Sequence, residues 1–180
     1  TRDSSYWCCV GTGFENQAKF GESIYSHTAN AVVVNLFIPS KLNWKEKKFE
    51  LQQTTSFPEN GAIELTVLQS SGSVSELFVR YPSWSTNEAE ISLNGRKIAI
   101  KQKAGSYIRL ARNFKKGDKI RINFPLHLSL LYAEHGSNKA AVAFGPIILA
   151  GQLGTKGFVG KQPFSDPSKH NDYYTYDYHI

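Results

Sequence analysis

The residues best equipped for chemistry are two adjacent cysteines, Cys8 and Cys9, the only cysteines in the chain. A disulfide between neighbours closes a strained ring far from the preferred geometry, so the pair points to a metal or a nucleophile. Thiolates are good zinc ligands, yet a tetrahedral zinc ion takes four donors and two thiols supply half of them. The histidines, His27, His127, His135, His170 and His179, stand at no recognised ligand spacing from the pair. On spacing alone, two idle or buried thiols are a commoner outcome than a complete zinc site.

The elements that position the pair follow from the pattern around it. Phe14, Ala18, Gly21 and Tyr25 recur at spacings of four and three, which predicts a helix over residues 12–27 with one narrow apolar stripe. Thr12 followed by Glu15 fits a capping box, which gives Glu15 a structural role in preference to a catalytic one. The cysteines then lie in the turn leading into the helix, where amide dipoles favour a thiolate if they point at it. His27 ends the predicted helix, more than about 20 Å along its axis from Cys9 at 1.5 Å per residue, too far to share an ion with the pair.

After His27 the pattern is that of strands. Ala31–Ile38 is rich in β-branched and aromatic residues, and Phe49–Thr55 alternates after a lysine-rich turn. Ala62–Leu68 places Ile63, Leu65 and Val67 on one face, Ser70–Ser73 turns the chain, and Val74–Arg80 returns with Leu77 and Val79 inward. Asn94-Gly95 marks a hairpin within 91–100, and Tyr107–Leu110, Lys119–Phe124 and His127–Tyr132 continue the series. Ala140–Ala150 is continuously apolar and reads as a central strand bent at Gly145-Pro146. The fold class is mainly β, an antiparallel β-sandwich preceded by one N-terminal helix. The tail from Gly151 has no clear period and reads as an irregular surface segment.

Composition narrows the function classes. The chain has 180 residues, 41% hydrophobic and 20% charged, enough for one substantial core with appendages. No apolar run approaches the roughly 18 residues of a membrane span, so no membrane partner is expected. The net charge of +6 permits a polyanion, but the lysines sit in turns and at strand ends, as edge protection does. With no basic helix or RNA-binding signature, no nucleic-acid partner is expected. Trp44, Trp84 and the tail tyrosines offer an alternative role, a sugar platform on a non-catalytic carbohydrate-binding sandwich. The chain opens on Thr1 with neither methionine nor signal peptide, which reads as a piece of a longer protein and leaves the compartment open.

The string from Ser5 to Asn16, SYWCCVGTGFEN, followed by Lys19-Phe20-Gly21-Glu22-Ser23-Ile24-Tyr25, resembles the signature segment of the bacterial β-L-arabinofuranosidases of glycoside hydrolase families 127 and 146, long grouped as a domain of unknown function. Val34–Ser40, Leu42-Asn43-Trp44, Arg80–Trp84, Asn94-Gly95 and Phe144–Ile147 are similar to that family in the same order. The resemblance covers at least residues 7–150.

The resemblance implies that residues 1–30 are the end of a catalytic (α/α)6 barrel, 31–150 a β-sandwich domain, and 151–180 a truncated tail. It implies a retaining glycoside hydrolase with Cys8 as nucleophile and with Cys8 and Cys9 as zinc ligands. The remaining ligands and the general acid/base belong to upstream residues, so none is assigned here. Zinc belongs to the full-length parent, and the fragment alone is expected to hold none stably and to be inactive. The partner implied is an arabinose-containing glycan, with a periplasmic or secreted location by analogy. The helix stripe, meant for barrel neighbours, would invite self-association of the fragment.

Overall fold

The computed structural model describes residues 8–133 and 139–152, with side chains from Thr12 onward. The chain divides into two units, Lys19–Ala150 and a second made of Thr1–Ala18 with Gly151–Ile180. The elements run α1 (Cys8–Ile24), β1 (Tyr25–His27), β2 (Ala31–Val34), β3 (Ser40–Trp44), a 3-10 turn (Lys45–Lys47), β4 (Phe49–Thr55), β5 (Ala62–Gln69), β6 (Glu76–Tyr81) and β7 (Glu90–Leu93). They continue with β8 (Arg96–Ile98), β9 (Ser106–Ala111), β10 (Lys119–Asn123), β11 (Leu128–Tyr132), β12 (Ala140–Phe144) and β13 (Ile147–Ile148).

The unit Lys19–Ala150 is a sandwich. One sheet has the order β1-β2-β6-β9 and the other β3-β4-β5-β10-β7-β8. Alternation builds the core: Phe49 and Leu51 from β4, Ile63, Leu65 and Val67 from β5, and Ile120 and Ile122 from β10 meet Val32, Val34, Leu77, Val79 and Ile108 of the first sheet. Each such side chain taken fully out of water contributes roughly 1.5–3 kcal/mol. Asn94 and Gly95 have φ of 49° and 82°, the left-handed pair that a two-residue hairpin needs to follow strand twist. They join β7 to β8, with Ile91 opposite Ile98.

Four departures from the sequence reading have physical causes. The turn at Ser70–Ser73 does not make a hairpin, because β5 and β6 lie in different sheets. Alternation shows which face is buried but not which strand lies beside it. Pairing is antiparallel except between β2 and β6, which run parallel with Val32 opposite Leu77. The intervening β3, β4 and β5, in the other sheet, supply the long crossover that a parallel pair requires.

The strand from Ala31 stops at Val34 rather than Ile38 because the backbone beyond it is used otherwise. Asn35 N–H donates to the Ile24 carbonyl at 2.9 Å, and Gln53 Nε2 donates to the carbonyls of Leu36 at 3.0 Å and Ile38 at 2.8 Å. The run Ala140–Ala150 is not a central strand. Gly145-Pro146 turns it into the β12–β13 hairpin, and with β11 it forms a third sheet. Leu128, Leu130, Leu131, Val142, Ile147 and Ile148 of that sheet are exposed. An apolar run records that burial is wanted but not what supplies it.

Candidate functional site

The helix carrying the cysteines begins at Cys8, not Thr12. Gly11 reads as a turn residue before the helix, but a glycine inside a helix costs only about 1 kcal/mol relative to alanine and leaves the hydrogen-bond ladder intact. Thr12 is therefore interior to the helix and cannot cap it, and Glu15 is an exposed mid-helix residue. Cys8 and Cys9 lie on the helix itself rather than in a turn leading into it. Their side chains, like the tail tyrosines, His135, His170 and His179, lie outside the described residues.

The other end of α1 is tied to the sandwich. Ile24 is buried, and its carbonyl accepts from Asn35 N–H at 2.9 Å and Leu36 N–H at 3.4 Å. The Tyr25 hydroxyl bonds to Ser40 Oγ at 2.9 Å. Burial pushes the Tyr25 phenol up, partly offset by that bond. Asn35 Nδ2 donates to Ser26 Oγ at 3.1 Å and Asn35 Oδ1 accepts from the Tyr107 hydroxyl at 2.9 Å, which locks β1 onto the first sheet.

His27 does not end the helix. It lies in β1 and stacks tilted on Trp44 with ring centroids 4.4 Å apart. Tyr25–His27 pairs with Val32–Val34, and that cross-strand register outweighs the helical spacing of Tyr25. Trp84 is half-buried, stacked on Phe57 at 6.0 Å and edge-on to Phe124 at 6.2 Å. Both indoles thus have packing partners already, which weakens the case for either as a sugar platform.

Among the described residues no group of three or more His, Cys, Asp or Glu could hold a metal. The donor chemistry of the Cys8-Cys9 pair fits a zinc ion in part, two thiols out of the four donors needed.

The sandwich itself carries a concave feature. The outer face of the six-stranded sheet forms a groove of ≈ 520 Å³, lined among others by Thr54, Asn60, Glu64, Ser92, Arg121 and Asn123. Arg121 stands opposite Glu64 across β10 and β5 and donates to it through Nε at 2.7 Å. That bond first, with the charges of Lys119 and Arg121, holds the Glu64 carboxyl below its ordinary range against partial burial. Glu90 pairs with Lys97 at 2.7 Å on the same groove. The residues are scattered along the chain and meet only through β5–β10–β7 pairing, so no local motif announces them.

Comparison with known proteins places the fold. Residues 31–126 match the family described as β-L-arabinofuranosidase, GH127 middle domain. The chain belongs to this family. No curated protein is similar enough to match. Among solved structures, this GH127 chain is similar to a glycoside hydrolase at 26% identity and a TM-score of 0.72, covering 80% of the chain and 25% of that structure. It is similar to a GH127 β-L-arabinofuranosidase from Geobacillus stearothermophilus T6 at 27% identity and a TM-score of 0.67, over 78% of the chain and 23% of that structure. A further GH127 β-arabinofuranosidase shares 25% identity at a TM-score of 0.66, over 78% of the chain and 25% of that structure. The chain therefore spans about a quarter of the length of the structures it matches.

Proposed function

We propose that this GH127 chain is the C-terminal portion of a retaining β-L-arabinofuranosidase-like glycosidase, with Cys8 as its nucleophile. The observation that carries the reading is continuity: α1, which includes Cys8 and Cys9, runs on in the chain into the sandwich whose residues 31–126 match the family. In this reading residues 1–30 close a helical catalytic barrel and the sandwich supports them. The substrate is an arabinose-containing glycan.

The chemistry assigned to Cys8 is a double displacement. Its thiolate attacks the anomeric carbon while the glycosidic bond breaks, and the leaving oxygen takes a proton from a general acid outside these residues. Water then displaces the sulfur from the thioglycosyl intermediate and gives its proton to that same acid, now the base, which restores both acid and thiolate with net retention. A zinc ion held in part by Cys8 and Cys9 would keep the thiol deprotonated at neutral pH. With half the donors and no acid, the chain alone is inactive and binds zinc weakly.

The support role of the sandwich accounts for the clamp around Ile24 and Tyr25, since a nucleophile helix needs one fixed end. It also accounts for apolar surface at the third sheet and at Phe14, which is 74% exposed, as faces that further chain would cover. The test is hydrolysis of a β-L-arabinofuranoside by the longer protein, with the first-formed anomer read by NMR. Retention is expected, and an inverted first product would contradict the double displacement.

A further inference from the structure

We propose that the groove on the outer face of the six-stranded sheet binds a short neutral glycan segment, apart from the reaction assigned to Cys8. At ≈ 520 Å³ it falls within the roughly 300–1,000 Å³ of small-molecule sites. It is built on regular strands, where outward positions of β4, β5, β10 and β7 converge, so its side chains are held by the ladder beneath them.

Thr55, Glu64, Glu90 and Lys97 of the groove are bonded within the protein, and the rest of its hydrogen-bonding capacity faces the cleft. The guanidinium of Arg121 gives Nε–H to Glu64 and keeps the rest of its donor fork for a ligand. Asn60 accepts from Ala62 N–H through Oδ1, a bond that does not use its Nδ2 donors. Thr54, Ser92 and Asn123 add hydroxyl and amide groups. Donors and acceptors side by side match a polyol, which presents both at every hydroxyl.

Charge selects the class of ligand. Glu64 offsets Arg121 and Glu90 offsets Lys97, so the lining carries two anions and two cations. A lining without net charge offers no local electrostatic preference for an anionic or a cationic ligand. The lining contains no aromatic ring, so binding relies on hydroxyl contacts without stacking and is weak, in the millimolar range. Arabinose as the sugar rests on the proposed function, whereas the site itself does not.

The experiment is titration of the uniformly 15N-labelled full chain with arabinan-derived oligosaccharides, followed by amide chemical shifts. Saturable shifts are expected at the groove residues Thr54, Glu64, Ser92 and Arg121. Arg121→Gln removes the donor fork and Thr54→Arg fills the groove from an exposed position, and each should weaken binding about tenfold or more. Both positions are exposed, and the same spectra report whether either variant has kept its fold. Absence of shifts at millimolar sugar, shifts that survive both variants, or tighter binding of an acidic oligogalacturonate would each overturn the proposal. None of these outcomes bears on the glycosidase reading, which is tested by turnover in the longer protein.

Discussion

Asn94 and Asp118 join two turns that are far apart in sequence: Asn94 Nδ2 donates to Asp118 Oδ1 at 2.8 Å, while Asn94 Oδ1 accepts from Lys119 N–H at 2.8 Å. Asp118 Oδ2 also accepts from Lys115 N–H at 2.9 Å and lies 3.6 Å from Arg112. The hairpin tip of β7–β8 is thereby fastened to the turn that starts β10.

Burial alone would raise the Asp118 carboxyl, but the bonds from Lys115 and Asn94, with the charges of Arg112 and Lys115, hold it below its ordinary range. A depressed carboxylate stabilises the fold above the unfolded value near 3.9 and loses that contribution as pH falls through the folded one. Asp118→Ala should cost about 2 kcal/mol at neutral pH. Urea unfolding at neutral pH and below about pH 3 checks this: the gap between wild type and variant should narrow at the acid end, and a gap independent of pH would refute it.

Gly61 has a different constraint. A Cβ there would sit 1.8 Å from the Phe124 carbonyl oxygen, part of a backbone that does not yield, and Phe124 N–H donates to the Gly61 carbonyl at 3.0 Å. Gly61→Ala should cost about 3 kcal/mol or more through overpacking. Gly72→Ala, in open space with φ +82°, should cost about 1 kcal/mol through its backbone alone. Equal denaturation midpoints for the two variants would contradict the close approach.

The third sheet leaves Leu130 and Val142, opposite each other across β11–β12, at 54% and 42% exposure. An apolar face of this kind promotes association, and the chain alone should sediment as oligomers at high concentration. Replacing the pair with Leu130→Lys and Val142→Glu keeps a favourable cross-strand contact while removing the apolar surface, and should shift the distribution to monomer. Unchanged sedimentation would show that association, if present, uses another face.

What could be read in advance was local. The period-two pattern of β5 and the Asn94-Gly95 turn identify strands, inward faces and a hairpin, because each depends on neighbouring residues alone. The parallel β2–β6 pair, the β5-to-β6 change of sheet and the Glu64–Arg121 contact depend on residues far apart in the chain, and no short pattern encodes them. That the helix reaches back past Gly11 to include the cysteines was hidden by the turn preference of that glycine, a bias of about 1 kcal/mol that a helix can override. The cysteine pair stands out by residue type alone, and its side chains lie outside the described residues.

The central claim is that Cys8 carries the reaction. The most direct measurement is turnover of a β-L-arabinofuranoside by the longer protein bearing Cys8→Ala or Cys8→Ser, with fold checked by thermal unfolding. Losing a nucleophile should lower kcat by about 10⁴-fold or more in both variants, with the sandwich still folded. Full activity in Cys8→Ala would contradict the account.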